Sequence, residues 1–478
     1  MRNEEASRAS APVERWGRFE RSFDGPAEGN PYREVTLRGV FRHGSRSVEA
    51  DGFYNGEGTY KLRFMPDAEG TWTYTVASSS AELDGLQGSF EVVPPQPGNH
   101  GPVRVKDRYR FEYADGTAYL PFGTTLYHWC HHGDEAKEEA TLASLAESPF
   151  NKVRICVLPT GDMDPPSLAF AGSLSEGADV NRMNPDFFAH LEKRLDDLLR
   201  LGVEADLILF HPYDRDVWGF ERLEAETEDF YIRYVLARLG SFRNVWWSIA
   251  NEFDFNKHKT MEDWDRLFHV VQRHDPYNHL RSIHNGTKMY DYTRTATYDY
   301  SKPWVTHQSV QHWEPSLTSA WLETHRKPVV LDECCYEGTA ERRWGNISGE
   351  EMVRRFWECM VRGGYAAHGE VFGRGSWVSS GGTLVGESPQ RIAFLRKLME
   401  ESLPELGRAE AERSCLWVYF GVSRPSYWEL SLPEGNDYFV DVVDTWGMRV
   451  ERLKGTFRGN CTIELPGISY AALRMTVV

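Results

Sequence analysis

Hydrophobic and polar positions along the 478-residue chain form three successive patterns. Residues 12–95 contain short runs in which apolar and polar residues alternate, such as REVTLRGVF and GTWTYTVAS, separated by turn segments such as DGFYNGEG. Alternation with a period of two is typical of half-buried strands, and short strands at this spacing predict a β-sandwich. The segment PPQPGNHGP then interrupts the pattern in the way a linker does.

The second pattern covers residues 101–402 and alternates apolar runs with helical periodicity. Eight runs are typical of strands: AYLPFGTTLY, NKVRICVLP, EADLILFHP, NVWWSIANE, HLRSIHNG, WVTHQSVQH, PVVLDEC and YAAHGEVFG. After the second run, Asn184 can cap a helix that starts at Pro185 and ends before Gly202. Eight strands alternating with helices over about 300 residues predict a (β/α)8 barrel.

The third pattern, over residues 405–478, returns to short strands such as CLWVYFGV, YFVDVVDTW and YAALRMTVV. It predicts a second, smaller β-domain. The sequence as a whole therefore predicts an α/β protein, a (β/α)8 TIM barrel flanked by an N-terminal β-sandwich and a small C-terminal β-sandwich domain.

Composition and charge narrow the function classes. The formal net charge is −17, which argues against a nucleic-acid partner or an anionic membrane surface, because both need a basic footprint. No apolar stretch approaches the roughly 20 residues of a membrane span, and the segment MRNEEASRAS lacks the apolar core of a signal peptide, so a cytoplasmic protein is expected. The seven cysteines are irregularly spaced, which indicates neither a disulfide framework nor a zinc site. No cofactor or metal is expected, and a homo-oligomer stays open.

Polar residues gather where the predicted strands end, which is where barrel enzymes place their active sites. Nearly every strand contributes one, a concentration that a purely structural barrel does not need. In chain order they are Tyr127, His128 and Trp129; Arg154; His211; Asn251 and Glu252; His284 and Asn285; His307, Gln308, Gln311 and His312; Asp332 and Glu333; and His368, Glu370 and Trp377.

Two of these residues, Glu252 and Glu333, form the leading candidate pair, since both follow nearly continuous apolar runs on strands that lie across the barrel from each other. Paired carboxylates are what glycoside cleavage requires, one as proton donor and one as nucleophile. Burial is expected to raise the pKa of Glu252, while Arg154 and Tyr336 are expected to keep Glu333 ionised. Asn251 is expected to bind a sugar hydroxyl.

Asp332 and Glu337 are the fallback carboxylates for the nucleophile. Asp332 is the weaker choice, because in a regular strand it would point away from the face that carries its neighbour Glu333.

Two segments resemble known enzymes. WWSIANE resembles the strand-four motif of the clan A glycoside hydrolases, retaining (β/α)8 enzymes, and KPVVLDECCYEG resembles their strand-seven segment. The resemblance implies Glu252 as acid/base and Glu333 as nucleophile. Further positions fall where that clan keeps substrate and nucleophile contacts, namely Arg154, His307 and Trp377. The full set of predicted substrate-binding residues is Arg154, Asn251, His211, His128, Trp129, His307, Gln308, Tyr336 and Trp377.

The resemblance extends over nearly the whole chain. GFYNGEGTYKLRFMPDAEGTWTYTV resembles the DUF5060 domain, DGTAYLPFGTTLYHW and ECCYEG are similar to the DUF4038 group of glycosidase barrels, which includes apiosidase-like enzymes, and the C-terminal strands resemble the DUF5605 module. Apiosidase-like barrels use an Asp as the strand-four acid, whereas this chain has Glu252, so an apiose substrate is not carried over. The prediction is a retaining glycoside hydrolase that acts on oligosaccharides or small glycosides by double displacement.

Two alternatives remain open. A metal-dependent barrel hydrolase could draw imidazoles from HWCHH together with His211, His284 and His307, although the H-x-H spacing typical of strand one in such enzymes is missing. A non-catalytic carbohydrate-binding protein would leave the paired glutamates without a purpose. The sugar, its linkage, and internal or terminal cleavage stay open in the sequence.

Overall fold

The computed structural model of the chain describes residues 11–173, 177–286, 296–373, 375–402 and 415–478. Eight strands form its central sheet, one within each predicted run. Their bounds are β1 Phe122–Thr125, β2 Lys152–Cys156, β3 Glu204–Phe210, β4 Val245–Ala250, β5 Arg281–Ser282, β6 Gln308–Gln311, β7 Val329–Glu333 and β8 Tyr365–His368.

The eight strands are parallel and form a barrel. They lie in the order β5, β4, β3, β2, β1, β8, β7, β6. The two ends of this order meet where His284, just beyond β5, forms a parallel bridge with Ser309 of β6. This confirms the predicted (β/α)8 barrel, in which all eight strands point their carboxyl ends to the same face.

Helices cover the outside of the barrel. Their bounds are α1 Glu135–Glu147, α2 Pro185–Arg200, α3 Ala225–Leu239, α4 Met261–His274, α5 Thr318–His325, α6 Gly349–Val361, α7 Trp377–Ser380 and α8 Ser388–Glu401. The helix predicted after Asn184 is confirmed as α2, because the Asn184 side chain accepts hydrogen bonds from the amides of Asp186 and Phe187 at 3.2 and 3.4 Å. Its apolar face is buried against the strands, and each buried Leu or Phe contributes about 1.5–3 kcal/mol; it consists of Phe187, Phe188, Leu191, Leu195 and Leu198.

The N-terminal region is a β-sandwich, as predicted. One sheet has the order Val13–Glu14, Gln87–Val93, Gly70–Ser78, Leu37–His43 and Arg46–Asp51, and the other Phe19–Asp24, Thr59–Phe64 and Phe53–Tyr54, with a short helix at Pro31–Glu34. Their facing apolar residues form a core of their own, in which Phe41 stacks on Phe64 with ring centroids 4.0 Å apart. Arg63 of this region donates to Glu192 of α2 at 2.7 Å, which joins the sandwich to the barrel.

A three-stranded sheet of Val103–Val105, Phe111–Tyr113 and Ala118–Tyr119 lies under the barrel, at the amino ends of the strands. The Phe111 ring lies 5.4 Å from Trp246 of β4, 5.4 Å from Tyr365 of β8 and 5.9 Å from His307, which directly precedes β6. This aromatic cluster closes the barrel at the end opposite the one where active sites form.

The C-terminal strands form two sheets, again as predicted. The first has the order Cys415–Tyr419, Ala471–Val477, Tyr438–Asp444 and Arg449–Arg452, and the second pairs Tyr427–Ser431 with Asn460–Glu464. Trp417 packs against Trp357 of α6 with ring centroids 5.5 Å apart. The predicted start of this region at residue 405 lies outside the described residues, and the predicted boundaries 12–95, 101–402 and 405–478 stay a prediction.

Small elements decorate the barrel. Hairpin strands Phe170–Ser173 and Gly177–Met183 follow β2, and a three-stranded sheet joins Glu337–Gly338, Glu370–Phe372 and Gly375–Ser376; single 3-10 turns lie at Phe220–Arg222, Phe253–Phe255, Pro315–Leu317 and Arg343–Gly345. None of the helices in the described ranges is long and apolar enough to cross a membrane.

Replacing Phe111 with Ala should destabilise the barrel without touching its upper face. Phe111 is 2% exposed, so the truncation leaves a cavity among aromatic rings and should lower the free energy of unfolding by about 3–5 kcal/mol. Thermal unfolding followed by circular dichroism measures the effect. Tyr109→Ala in the same segment is the control, because Tyr109 is 37% exposed; equal melting temperatures for the two variants would contradict the proposed closure.

Candidate active site

Glu252 and Glu333 face each other at the carboxyl ends of the strands. The link between them is Gln311, the last residue of β6, whose Nε2 donates to Glu252 Oε1 and to Glu333 Oε2, each at 2.9 Å. The two accepting oxygens therefore lie no farther apart than twice 2.9 Å. Because the two N–H bonds of a planar amide diverge by roughly 120°, the separation is about 5 Å.

Glu333 lies in a dense set of donors. Its Oε1 accepts hydrogen bonds from the Tyr127 hydroxyl and from Arg154 Nη1 at 3.3 Å, and His284 Nε2 lies 3.3 Å from the same oxygen. Burial nevertheless raises the pKa of Glu333 to about 8, against the lowering effect of the Tyr336 hydroxyl. The prediction that neighbouring groups hold this carboxyl at an ordinary or lower pKa was wrong, because only 4% of Glu333 is exposed and burial outweighs the donors.

A β-bulge places two consecutive carboxylates inside the barrel. Val310 of β6 pairs with Leu331 of β7, but the next residue, Gln311, pairs with Glu333, so Asp332 is an extra residue on β7. Asp332 accordingly also faces inward. This corrects the expectation that it points away from the Glu333 face, since a bulge breaks the alternation of a regular strand.

Asp332 is fully engaged at this inward position. Lys152 Nζ donates to its Oδ1 at 2.8 Å and Ser309 Oγ donates to its Oδ2 at 2.5 Å. Burial by itself would raise the pKa of Asp332, but the charges of Lys152 and Arg154 lower it well below its usual range. Asp332 therefore serves as a buried counter-ion beneath the site.

Glu252 occupies a left-handed turn directly after β4, with φ 45° and ψ 50°. Its Oε2 accepts a hydrogen bond from the Tyr213 hydroxyl at 2.5 Å. Burial raises the pKa of Glu252, the donors Tyr213 and Gln311 partly offset this, and the nearby Asp254 carboxylate raises it further. The direction is the one predicted for a proton donor.

The turn directs the Glu252 side chain across Gly286, two residues past His284. A Cβ atom added to Gly286 would lie 2.5 Å from both Cβ and Cγ of Glu252. The Gly286 amide also donates to Asp254 Oδ1 at 2.6 Å, which holds the two segments together. A residue without a side chain is therefore required at position 286 for Glu252 to take this position.

Arg154 connects strand two to both carboxylate-bearing strands. Its Nη2 donates to Asn251 Oδ1 at 2.7 Å, while Nη1 contacts Glu333. Asn251 Nδ2 in turn donates to the Tyr213 hydroxyl at 2.7 Å. The structure thus brings four predicted site residues together, Arg154, Asn251, Glu252 and Glu333, with Tyr336 beside them.

Other predicted site residues support this centre from below. His211 Nε2 donates to the Leu158 carbonyl at 2.8 Å and its Nδ1 accepts from the Tyr213 amide at 3.2 Å, so His211 positions Tyr213. His128 lies beside His211, with ring centroids 6.2 Å apart. Trp377 is buried, and its Nε1 donates to Thr124 of β1 at 2.8 Å.

Three predicted residues lie away from the centre. Trp129 has no exposed surface and packs in the core under Arg194, so it does not reach the cleft. His307 and Gln308 lie at the start of β6, where His307 packs on Trp246 and Gln308 Nε2 donates to the Trp321 and Lys327 carbonyls at 3.2 and 3.0 Å. Since β6 begins at Gln308, both belong to the closed lower end of the barrel.

The structure adds four side chains that the predicted site omitted: Tyr127, Tyr213, His284 and Gln311. Tyr127, His284 and Gln311 belonged to the polar pattern at the strand ends, which did not distinguish them from their neighbours. Tyr213 lies three residues beyond the end of β3 at Phe210. Its place just after a strand is the one feature of the sequence that points to it.

The residues of the metal-hydrolase alternative are dispersed. His128, Cys156 and His211 do bring potential ligand atoms within 4.8 Å of one another. However, both His211 nitrogens are engaged, and His131 Nε2 is bonded to the Cys156 carbonyl at 2.7 Å. His284 lies at Glu333 and His307 at the lower end, so the six imidazoles do not form one metal centre.

Family models match almost the whole chain: DUF5060, a domain of unknown function, at residues 12–79; the apiosidase-like catalytic domain at residues 105–382; and DUF5605, a second domain of unknown function, at residues 405–476. The chain belongs to the apiosidase-like family. A Bacteroides vulgatus protein provisionally described as a glycoside hydrolase is 37% identical, with a TM-score of 0.90 over 98% of this chain and 100% of its own.

A more distant structure shows the same fold. A glycoside hydrolase family 5 protein from Bacteroides vulgatus is 14% identical, with a TM-score of 0.58 over 80% of this chain and 94% of its own. A search of curated proteins found no match. The apiosidase-like chain is thus an enzyme of the glycoside hydrolase class.

Replacing Gly286 with Ala should displace Glu252 from Gln311 and Tyr213. Because a misplacement of about 1 Å can cost about 10²-fold in rate, we expect kcat/KM on aryl glycosides to fall by that order. The control is Gly375→Ala, where a new Cβ would meet only the Phe372 carbonyl at 3.4 Å. Parental kcat/KM in a correctly folded Gly286→Ala variant would show that position 286 does not place Glu252.

Proposed function

We propose that the chain is a retaining glycoside hydrolase that cleaves small glycosides or oligosaccharides by double displacement. The observation that carries the proposal is the single Gln311 amide shared by the Glu252 and Glu333 carboxylates at 2.9 Å each. The resulting separation of about 5 Å matches retaining enzymes, whereas inverting enzymes leave roughly 6.5–9.5 Å for a water molecule.

Glu333 is the proposed nucleophile. It attacks the anomeric carbon and forms a glycosyl–enzyme ester, while the departing oxygen takes a proton from Glu252. Three donors face the Glu333 carboxylate, Tyr127, Arg154 and Gln311, and they stabilise its charge before attack and again when water releases the sugar.

Glu252 is the proposed proton donor and, in the second step, the base that activates water. Its partly accessible position suits exchange with solvent, whereas Glu333 is buried. Asn251 Nδ2 donates one of its two hydrogens to the Tyr213 hydroxyl, so the second can be donated to the sugar hydroxyl next to the reacting carbon.

The proposal covers the substrate class only as far as short glycosides. Three tyrosines, Tyr127, Tyr213 and Tyr336, surround the carboxylates, and this enclosure favours one or a few sugar units over a long polymer. The family name points to apiosides. However, this chain has Glu252 where the resemblance implies a strand-four Asp, so the substrate screen should include both furanosides and pyranosides.

Removing each carboxylate tests the assigned roles. Glu333→Gln should lower kcat/KM by more than about 10³-fold on every substrate, because no nucleophile remains. Glu252→Gln should cost about 10²–10⁴-fold on glycosides with poor leaving groups and less on nitrophenyl glycosides, which need little protonation. Steady-state kinetics on a paired alkyl and nitrophenyl series measures both effects.

Glu204→Gln is the matched control for these variants. Glu204 is a buried carboxyl whose pKa burial raises to about 8, but it lies at the lower end of β3, bonded to Trp246 at 3.0 Å. It should keep parental kcat/KM. Proton NMR of the first sugar released should show retained anomeric configuration; inversion would rule out Glu333 as nucleophile, and full activity in both glutamine variants would end the proposal.

The pH profile of kcat/KM should be shifted to higher pH. The active form carries one proton on the carboxyl pair, so activity falls at low pH when both are protonated and at high pH when Glu252 loses its proton. Burial raises the pKa of both carboxyls, so both limbs of the profile should lie at higher pH than two exposed glutamates would give. Tyr213→Phe removes a donor to ionised Glu252, raises its pKa further and should move the alkaline limb to higher pH; a downward shift would contradict this.

A further inference from the structure

Behind the carboxylate pair, beyond β8, three buried side chains converge: Glu337, His368 and Glu370. Their ligand atoms, two carboxylate oxygens and an imidazole nitrogen, all lie within 4.8 Å of one another. Each residue is 3% exposed or less. They come from the end of β8 and from the small sheet in which Glu337 pairs with Glu370.

Across the described ranges, neither Glu337 nor Glu370 forms an ion pair with a lysine or arginine. Buried carboxylates are normally paired with a cation or coordinate a metal ion, so this pair needs a positive partner.

Backbone amides orient the carboxylates without using all their lone pairs. Glu370 accepts from the amides of Val385 and Gly386 at 2.7 and 2.9 Å. Glu337 accepts from the amides of Glu387 and Ser388 at 2.7 and 3.1 Å and from the Ser388 hydroxyl at 2.5 Å. A carboxylate offers about four acceptor sites, so both keep sites for a further ligand bond. A Cβ at Gly386 would lie 2.5 Å from an oxygen of each glutamate.

His368 supplies the second observation. Its Nε2 is completely buried, has no hydrogen-bond partner among the described residues and lies 3.8 Å from Glu370 Oε2. That distance is too long for a hydrogen bond but close to the ~3.4 Å that separates two ligands of one tetrahedral zinc ion.

The far side of the ring is also arranged as in metal sites. His368 Nδ1 lies 3.3 Å from Thr124 Oγ1, which accepts a hydrogen bond from Trp377. If Nδ1 carries the proton and donates to Thr124, the Nε2 lone pair points into the cluster. Metal-binding histidines usually have such a partner on the second nitrogen.

From this geometry we propose that Glu337, His368 and Glu370 bind one divalent metal ion of the zinc or manganese type. A mixed set of one imidazole and two carboxylates suits these ions. The ion would neutralise the carboxylates and fasten the segment after β7, which carries Tyr336, to the end of β8. The site is separate from the catalytic pair and does not depend on the proposed reaction.

The test uses the full-length chain without a histidine tag, stripped with a chelator and dialysed. Titration with Zn²⁺, Mn²⁺ and Ca²⁺ in a calorimeter should show one equivalent of Zn²⁺ or Mn²⁺ per chain and much weaker Ca²⁺ binding. Thermal unfolding should shift upward with the bound ion. Co²⁺ should give a visible absorption band that shows nitrogen and oxygen ligation, which requires no variant and no activity assay.

Variants locate the site. Glu370→Gln and His368→Gln should each weaken Zn²⁺ binding at least tenfold and abolish the thermal shift. Cys156→Ser is the control, since it disrupts the other cluster of potential ligands, His128, Cys156 and His211, and should leave binding unchanged. The proposal is overturned if the parent binds no ion, if Cys156→Ser abolishes binding, or if Glu370→Gln stabilises the protein without metal, which would indicate a proton shared by the two glutamates.

Discussion

Arg154 is completely buried, and its contacts hold together the strand ends that form the upper face of the barrel. It donates to Asn251 and Glu333, and its Nε lies 3.7 Å from Asp206. A buried charge costs several kcal/mol unless it is paired and hydrogen-bonded, so the strands that provide these partners cannot shift independently. Lys152, two residues earlier on the same face of β2, repeats the arrangement with Asp206 and Asp332 one layer lower.

Regular strands could not have delivered these partners. Alternation puts consecutive residues on opposite faces, yet Asp332 and Glu333 both face inward, because a bulge adds one residue to β7. At the other carboxylate, the backbone leaves β4 through a left-handed residue, Glu252 itself. Such a conformation costs about 1–3 kcal/mol in a residue with a side chain, and such costs gather at functional sites. Both irregularities lie at the two carboxylates that the proposed reaction uses.

The architecture could be predicted from the sequence, because it depends on repeating patterns of apolar and polar residues. The eight strand runs, the Asn184 cap and both β-regions follow from periodicity and turn residues, and each is seen in the structure. The carboxylates could be named because they end apolar runs. The sequence could not show that Gln311, rather than Gln308, belongs to the active site. The two residues lie at opposite ends of the four-residue strand β6, and the sequence does not mark where that strand begins. The bulge at Asp332 and the turn at Glu252 arise from tertiary packing, which periodicity does not record.

The position of the Glu252 carboxylate therefore depends on the backbone conformation after β4 as much as on the type of side chain. In a regular strand the side chain of Glu252 would continue the alternation of β4. The left-handed turn instead lays the side chain over Gly286, where its Cβ and Cγ occupy the space a side chain would otherwise fill. Its carboxylate then meets Gln311 at the same 2.9 Å as Glu333 does. Position 252 and position 286 thus act as one unit, and a change at either alters the distance between the carboxylates.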